Sequence, residues 1–341
     1  MKVTTLGIDL AKTCFQLHGT DDAGRAVIKR KINREELALF TAQLEPCLIA
    51  MEACGGAHYW ARKFKSQGHS IKLIPARHVK KFKESQQKND ARDAFAINEA
   101  AQRPKMPLVA PKELWQQDVQ ALHRTRQQLV KMRTATVNQC RGLMMEYGVV
   151  VDKSIEKFFI QMPSAIEDAN NELTLVMRDL AAFLVASAKD LSQKIEEVEK
   201  KILTLSEAQP DYRRLLQVPG IGPMGASMFI SSVGDAKVFK NGRHVAAWLG
   251  LVPRQESSGG KSRLLGITKT GDNHLRSVLI HGARSLILSA MRKHKRDPVS
   301  QWILDLQERK GWNVTAVAIA NRNARIMWHL MNYKEEYKSA V

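Results

Sequence analysis

The stretch Thr4-Thr5-Leu6-Gly7-Ile8-Asp9-Leu10-Ala11-Lys12 decides the fold of this chain. Its short apolar run with β-branched residues is typical of a buried strand, and the run reaches one carboxylate at Asp9. Burying a carboxylate is costly unless the group is paired or binds a metal ion. Asp9 therefore needs partners, and the chain supplies Glu52, Asp90 and Asp93.

The N-terminal patterns predict three strands, then a helix, a strand, a helix, a strand and a helix. In chain order they are strands 3–10, 13–19 and 26–32, helix 34–44, strand 47–51, helix 55–66, strand 70–74 and a helix from residue 89. This is the element order of the α/β RNase H-like fold in its RuvC-like form. We therefore expect one mixed sheet covered by helices.

Four carboxylates lie where that fold converges, on the first strand, at the end of the fourth strand and on the last helix. Asp9 and Glu52 belong to the two strands, and Asp90 and Asp93 share one face of the helix because they are three residues apart. Carboxylate oxygens of this kind suit Mg²⁺ or Mn²⁺. Taken singly, Glu52 also fits an acid at a helix N-terminus, and Asp90 fits an N-cap.

The charge balance predicts an anionic partner. Lys and Arg number 53 against 34 Asp and Glu, which gives a formal net charge of +19. Nucleic acid is the usual partner of such a chain, and an anionic membrane surface is the alternative. No apolar run has the length of a membrane span, and the N-terminus lacks a signal peptide's apolar core, so we expect no membrane partner. Four separated cysteines without a CxxC pair predict a reduced cytoplasmic protein without disulfides or a zinc site.

Two long helices are predicted after a proline-rich connector at residues 103–111. The first spans residues 113–147 and is strongly basic, so it is either a solvated charged face or a helix laid along a phosphate backbone. The second spans 173–207 and keeps heptad spacing for three heptads, which indicates a coiled coil. An intramolecular hairpin and a dimer seam both fit this pattern. Residues 148–172 are predicted to be irregular.

The C-terminal third carries two further patterns. Residues 215–226, LLQVPGIGPMGA, have the form of a helix-hairpin-helix, in which Gly220 and Gly222 allow a tight turn and backbone N–H groups meet a phosphate. Residues 253–263, PRQESSGGKSR, form either a flexible loop or a loop that exposes a hydroxyl nucleophile beside cations. Residues 266–276 are predicted to continue into a helix that ends near Met291, and helices near 299–309 and 312–332 are predicted to close the chain.

Basic residues in three regions are predicted to contact nucleic acid. They are Lys12 beside Asp9, then Arg124, Arg126, Lys131 and Arg133 on the first long helix, and Arg254, Lys261, Arg263, Lys269 and Arg276 in the C-terminal region. The last group lies within residues 240–296, which hold 12 Lys or Arg against two acidic residues.

The ordered motifs LGIDLAK, MEACGGAHYW, KNDARDA, VPGIGPMGA, AAWLGLVPRQESSGGKSRLLGITKTGDNHLR and IHGAR carry a family resemblance. The chain resembles the DEDD-type insertion-sequence transposases, the group that includes the Piv and MooV DNA invertases, over nearly its whole length. The resemblance implies a metal-binding catalytic quartet at Asp9, Glu52, Asp90 and Asp93. It also implies a catalytic serine in a Ser-Gly step, which maps onto Ser258, with Ser257 directly before it as the alternative.

The same resemblance implies a recombinase that forms a covalent phosphoserine. A structured guide RNA, the bridge RNA, is implied to pair with donor and target DNA. Dimers are implied to meet as a tetramer, in which the serine of one protomer completes the acidic site of another, in the bacterial cytoplasm and at the nucleoid when acting. The implied domains are a RuvC-like acidic domain at 1–110, a coiled-coil arm at 111–208 and a mainly α-helical transposase domain with the helix-hairpin-helix and serine loop at 209–341.

Two other functions fit the charge equally well. One is a RuvC-like structure-selective nuclease that uses a metal-activated water and does not need Ser258. The other is a non-catalytic nucleic-acid-binding protein that does not need the four carboxylates.

Overall fold

The computed structural model describes residues 2–82, 90–258, 261–292 and 297–338. The chain divides into two compact units, Met1–Leu114 with Gly234–Val238, and Trp115–Val233 with Phe239–Val341. The second unit contains both long helices and the C-terminal region. The separation of an arm from a C-terminal domain at residue 208 therefore stays a prediction.

The first unit has the predicted order of strands and helices, with one short helix, α3, that the sequence patterns missed. Its elements are β1 (Thr5–Asp9), β2 (Cys14–Thr20), β3 (Ala26–Asn33), α1 (Arg34–Ala42), β4 (Leu48–Glu52), α2 (Ala57–Ser66), β5 (Ser70–Ile74), α3 (Ala76–Val79) and α4 (Asp90–Ala101). The sheet order is β3-β2-β1-β4-β5. The first three strands are antiparallel, and β1, β4 and β5 are parallel.

The two faces of this sheet pack against different helices, since successive strand residues alternate between faces. On one face Leu6, Ile8 and Phe15 share a core with Trp60 and Phe64 of α2. On the other face Ala50 of β4 shares a smaller core with residues of α4, among them Ala96 and Ile97. The N-terminal region is thus a mixed α/β sheet between helical layers, as predicted.

The second unit is mostly helical. Its elements are α5 (Leu114–Met145), α6 (Ile155–Glu167), α7 (Leu175–Glu207), α8 (Pro210–Leu216), α9 (Pro223–Val233), α10 (Gly242–Trp248), β6 (Pro253–Ser258), β7 (Lys261–Ile267), α11 (Asn273–Arg292), α12 (Pro298–Lys310) and α13 (Trp312–Tyr333). No helix in the described ranges is both long enough and apolar enough to span a membrane.

The long helices α5 and α7 run antiparallel within one chain. Arg126 on α5 forms a salt bridge of 2.6 Å with Glu199 on α7, and a guanidinium nitrogen of Arg133 lies 3.4 Å from the hydroxyl of Ser192. Farther along, Cys140 of α5 shares a hydrophobic core with residues of α6 and α7. The pairing within one chain favours the hairpin over the dimer seam for this part of the helices.

The prediction that residues 148–172 are irregular is wrong. They contain α6, whose N-cap Ser154 accepts a hydrogen bond from the backbone N–H of Lys157. Pro163 lies inside this helix, and a proline there removes one backbone hydrogen bond and is unfavourable. Burial of Phe158 and Met162 in the core shared with α5 and α7 offsets that cost.

The C-terminal region also contains an element that the sequence patterns missed. The stretch around the serines, for which a flexible loop was one of two interpretations, is a β-hairpin in which β6 and β7 pair antiparallel. Between α8 and α9 the chain turns at Gly220, whose φ is +81°. The carbonyl oxygen of Gly220 lies 2.1 Å from the position that a Cβ at Gly282 of α11 would occupy, so glycine is required at 282.

Candidate active site

Asp9 and Glu52 lie side by side at one edge of the sheet. Strands β1 and β4 are parallel neighbours, and the last registered pair is Ile8 with Met51. Asp9 and Glu52 are the next residues of each strand, and both are half-buried. Because carboxyl ends of parallel strands meet at the same edge, the backbones of Asp9 and Glu52 lie about one strand spacing, ~4.8 Å, apart along the sheet.

Helix α4 lies directly on β1 at Gly7. A Cβ at Gly7 would lie 2.5 Å from the carbonyl oxygen of Ala94 and 2.8 Å from the backbone nitrogen of Asn98. The Asn98 side chain donates a hydrogen bond of 3.1 Å to the carbonyl oxygen of Thr5. Helix α4 therefore runs antiparallel to β1, with Asn98 level with Thr5 and Ala94 level with Gly7.

This alignment brings the start of α4 to the edge with the carboxylates. Four residues of a helix span ~6 Å, and two residues of a strand span ~6.6 Å. Since Ala94 is level with Gly7, the backbone of Asp90, four residues before Ala94, is level with Asp9, two residues after Gly7. Asp93, in the same first turn, is half-buried. The side chain of Asp90 lies outside the described part of the structure. The backbones of Asp9, Glu52 and the first turn of α4 thus lie at the same edge of the sheet, and the four-carboxylate site stays a prediction.

Asn98 is a positioning residue that the sequence analysis missed. It is completely buried, and its amide nitrogen donates to the carbonyl oxygens of Thr5 and His18 at 3.1 and 3.0 Å. Its amide oxygen accepts hydrogen bonds from Thr20 at 3.3 Å and Gln102 at 2.7 Å. The only sequence signal was a polar residue at a buried position of a helix that is otherwise apolar on that face.

The pKa of the Cys54 thiol is affected by the negative charge at this edge. Its pKa is raised, first because the group is partly removed from water and then because of the charges of Glu52 and Asp9. Two carboxylates that act on one thiol are close to the same point in space. Their combined field also disfavours a third anion unless a cation is present.

The donor chemistry of this edge fits a divalent cation. Asp9, Glu52 and Asp93 present carboxylate oxygens, which are ligands for Mg²⁺ and Mn²⁺. Among the side chains that the structure describes, no three His, Cys, Asp or Glu groups form a preassembled metal cluster. Asp9, Glu52 and Asp93 therefore do not form a closed ligand set by themselves in this structure, and the side chain of Asp90, the fourth carboxylate, is outside the described part.

The predicted serine lies in the second unit, on the β6–β7 hairpin. Ser258 is the last residue of β6 and pairs in register with Lys261, the first residue of β7, while Ser257 pairs with Ser262. Ser257 and Ser258 are successive residues of β6, and the side chain of Ser258 lies outside the described part of the structure. The hydroxyl of Ser257 accepts a hydrogen bond of 2.9 Å from Gln255, so Ser257 already has a local partner.

The predicted nucleic-acid contacts differ in their surroundings. Eight of the described side chains are exposed or form contacts across the helix pair. Lys12, Arg124, Lys131, Arg254, Arg263 and Lys269 are exposed, and Arg126 is paired with Glu199. Arg133 is half-buried beside Ser192. Gly222 is open to solvent, Gly220 is packed against Gly282, and the side chain of Lys261 lies outside the described part.

Arg276 does not fit its predicted role as a nucleic-acid contact. Its exposed fraction is 6%, and its guanidinium donates to the carbonyl oxygens of Leu249 at 3.0 Å and Thr270 at 2.8 Å. It also donates to the side chain of Asn273. These bonds fix the loop before α11, so the guanidinium is used inside the protein.

A buried polar chain joins the base of α5 to α7 and α9. The ring of His123 lies 2.9 Å from the hydroxyl of Ser227 on α9, which accepts a hydrogen bond of 2.7 Å from Ser206 on α7. Burial, with smaller contributions from the positive charges of His274 and Arg126, lowers the pKa of His123 to about 4. His123 is therefore neutral near pH 7.

Comparison with known proteins identifies the family. Residues 6–149 match a DEDD transposase domain of the IS110 type, described as Transposase, and residues 212–298 match the Transposase IS116/IS110/IS902 family. A probable family 20 transposase of Pseudomonas aeruginosa is 43% identical over 341 residues, with 99% of each chain covered. The chain belongs to the IS110 family of transposases.

Other relatives of this IS110-family transposase extend the similarity. The transposase for insertion sequence element IS1111A of Coxiella burnetii is 40% identical over 336 residues, which cover 98% of this chain and 92% of the relative. The pilin gene-inverting protein of Moraxella lacunata is 24% identical over 349 residues, which cover 94% and 92%. The resemblance to DEDD transposases and DNA invertases is thereby confirmed.

Membership defines the general activity. The protein is an insertion-sequence transposase, an enzyme that acts on DNA by cutting and rejoining it. DEDD-type transposases generally use divalent metal ions, which agrees with the carboxylate donors at the β1–β4 edge.

Proposed function

We propose that this transposase cuts and rejoins DNA with a RuvC-like carboxylate quartet and a serine nucleophile. The observation that carries the proposal is the meeting of Asp9, Glu52 and the first turn of α4, which bears Asp90 and Asp93, at one edge of the sheet. These four residues would hold Mg²⁺ or Mn²⁺. The bound cation would neutralise charge on the phosphoryl oxygens and orient the scissile phosphate.

Ser258 is the proposed nucleophile. Its oxygen forms a bond to phosphorus while the bond from phosphorus to one deoxyribose oxygen breaks. The proton that the serine loses balances the proton that the leaving hydroxyl gains. The resulting phosphoserine conserves a phosphodiester bond, so the reverse reaction with another DNA end rejoins the strand. The exposed guanidinium groups of Arg254 and Arg263 on the same hairpin are suited to stabilise the developing charge.

The register of β6 supports Ser258 over Ser257. Ser258 pairs with Lys261, whereas Ser257 pairs with another serine and accepts a hydrogen bond from Gln255. A serine is a weak nucleophile near neutral pH and needs cationic groups nearby. In the proposed mechanism Lys261, the residue in backbone register with Ser258, supplies that cation.

The test of this mechanism is a covalent adduct. Wild-type protein with a nicked or mismatched DNA substrate should give a protein–DNA band on a denaturing gel. Ser258→Ala should lose the adduct and recombination while it keeps nucleic-acid binding, and Asp9→Asn should lose both reactions. Ser257→Ala is the matched control and should retain the adduct. Cleavage without an adduct in the wild type would instead favour a nuclease that uses water.

A structured guide RNA is the second part of the proposal. The charge of +19 and the exposed Arg124 and Lys131 of α5 support RNA binding through the helical arm and the N-terminal unit, with Lys12, Arg254, Arg263 and Lys269 as further contacts with RNA or DNA. RNA that copurifies with the protein should be sequenced. Recombination should stop after ribonuclease treatment and resume when that RNA is restored. Full recombination activity without RNA would contradict the proposed guide RNA.

Dimers that meet as a tetramer are the third part. Helix α7 presents an exposed apolar stripe at helical spacing, with exposed fractions of 77% for Val176, 39% for Leu180 and 66% for Phe183. Such a stripe supports burial against a second copy. Phe183→Glu should lower the molecular mass measured by light scattering. Lys189→Glu, an exposed change one turn and a half away on the same helix, should leave it unchanged.

A further inference from the structure

The β2–β3 edge of the sheet carries lysines on the same face as the carboxylates. Leu17 of β2 lies in the core on the opposite face, so its neighbours Gln16 and His18 face α4. The register pairs Lys31 with Gln16 and Lys29 with His18, and paired residues share a face. The ring of His18 packs edge-on against Phe95 of α4 at 5.1 Å, in agreement with this assignment.

The sheet face that carries Lys29 and Lys31 continues across the strands to Asp9 of the candidate active site. Gln16 pairs in register with Asp9 on its other side, so Asp9, Gln16 and Lys31 lie in one row across three strands. The row measures about two strand spacings, ~10 Å, from Asp9 to Lys31. Lys29 lies two residues farther along β3, ~6.6 Å from Lys31.

A shallow cavity of about 390 Å³ follows this row. It is lined by one aliphatic residue, Leu17, and by polar and aromatic residues, which are Gln16, His18, Lys29, Arg30, Lys31, Arg92 and Phe95. No carboxylate lines it among the described residues. The nearby Glu99, whose charge acts on His18, lies 3.7 Å from Arg103. The cavity is therefore positively charged, and it lies beside the negatively charged edge that carries Asp9 and Glu52.

The two lysines are available for a ligand. In the described ranges neither Lys29 nor Lys31 forms a salt bridge, and both residues are exposed. Burial, and then the charge of Lys29, lower the pKa of His18, so this histidine adds an uncharged ring near neutral pH. The rings of His18 and Phe95 line the same cavity as the cationic side chains.

We propose that the strip formed by Lys29, Lys31 and Arg92, with Gln16 at its inner end, binds the phosphate backbone of the nucleic-acid strand whose scissile phosphate lies at Asp9. The proposal rests on the proposed function because it uses the carboxylate edge as the reaction site. Lys29 and Lys31 follow one another along β3 instead of forming a single cage, which suits successive phosphates better than one small anion. The cations also offset the repulsion between the carboxylates and the DNA backbone.

Lysine footprinting of the full-length protein tests the proposal. Two single-stranded oligonucleotides of one sequence, one DNA and one RNA, are added separately before limited acetylation, and mass spectrometry measures each lysine. DNA should protect Lys29 and Lys31 several-fold relative to Lys63 and Lys65, which are exposed on α2 across the sheet. Protection by DNA, with or without protection by RNA, supports the proposal. Equal acetylation with and without DNA, or protection by RNA alone, overturns it.

A paired substitution gives an independent measurement. Lys29→Gln with Lys31→Gln should reduce the slope of log affinity against log salt by about 1.4 for single-stranded DNA, since each phosphate contact contributes about 0.7. Lys63→Gln with Lys65→Gln is the matched control and should leave the slope unchanged. An unchanged slope in the first variant would contradict the strip. Cleavage that persists in Asp9→Asn would overturn the proposed function while leaving this binding result intact, so the two failures are distinguishable.

Discussion

The position of a Cβ at Gly7 lies 2.5 Å from the carbonyl oxygen of Ala94, so β1 and α4 are in direct backbone contact. Only glycine permits this approach, because a methyl group there would overlap the helix backbone. The contact sets the depth of α4 on the sheet. It therefore sets how closely Asp93 can approach Asp9.

We expect Gly7→Ala to move α4 outward and to abolish DNA cleavage. Overpacking of this kind destabilises a fold by about 1–3 kcal/mol. Urea unfolding and a cleavage assay at equal fractions of folded protein would separate the two effects. Gly142→Ala is the matched control, since no atom lies within 4 Å of that Cβ position on α5. Its stability should be unchanged or rise by up to ~1 kcal/mol.

Asn98→Ala should loosen the same contact without a steric clash. The substitution leaves the buried carbonyl oxygens of Thr5 and His18 without the amide donor, and an unsatisfied buried group costs about 1–3 kcal/mol. Urea unfolding should show this loss, and the rate of metal-dependent cleavage should fall with it. Gln102→Ala, which removes an exposed partner of Asn98, should change stability by no more than about 1 kcal/mol.

His123 should make the protein less stable in mild acid. Its pKa is about 4 in the folded protein and about 6.5 in an unfolded chain. Between these values the unfolded state binds a proton that the folded state does not, so stability falls as pH drops from about 6.5 to about 4. The total loss is about 3 kcal/mol.

Urea unfolding at several pH values measures this loss. His123→Gln removes the titrating group and should flatten the dependence in that window. His281→Gln, a change at an exposed histidine of α11, should keep the wild-type dependence. If His123→Gln and the wild type lose stability in parallel, another group causes the acid sensitivity.

Arg276 and Arg263 should behave differently although both are basic residues of the C-terminal region. Arg276→Met removes the donors to Leu249 and Thr270, and we expect stability to fall by about 2–4 kcal/mol. Arg263→Gln, at an exposed strand position, should change stability by no more than about 0.5 kcal/mol. It should instead weaken nucleic-acid binding, which fluorescence anisotropy against salt concentration would measure. Equal stabilities of the two variants would contradict the structural role of Arg276.

The N-terminal unit could be predicted in detail because its periodicities are local. Alternating and continuous apolar runs mark each strand, and the loops carry turn residues, so the strand order and the edge with Asp9 and Glu52 follow from the chain itself. The role of Asn98 could not be predicted in this way. It depends on four partners from three segments, and no local pattern records them.

The second unit was harder to predict from the sequence, because contacts between distant segments determine several of its elements. Pro163 signals a helix end locally, whereas burial of Phe158 against other helices maintains α6 through it. Strand β6 contains no apolar alternation, since every residue of PRQESS after the proline is polar, and its pairing with β7 stabilises the strand. The buried guanidinium of Arg276 is likewise determined by the loop around it and not by its neighbours in sequence.

The length of helix α5 affects how movement at one end is transmitted to the other. It is unbroken over 32 residues and about 48 Å long. Near its start it is joined to α9 by a hydrogen bond from Gln120 to the carbonyl oxygen of Ser231 and by one between the His123 ring and the Ser227 hydroxyl. Such a helix acts as a lever. From His123 to Met145 the helix extends about 33 Å, so a tilt of about 10° at His123 moves the far end by roughly 6 Å, about one helical pitch. A ligand that repositions the tip therefore exerts torque at α9, the helix that follows the Gly220 turn.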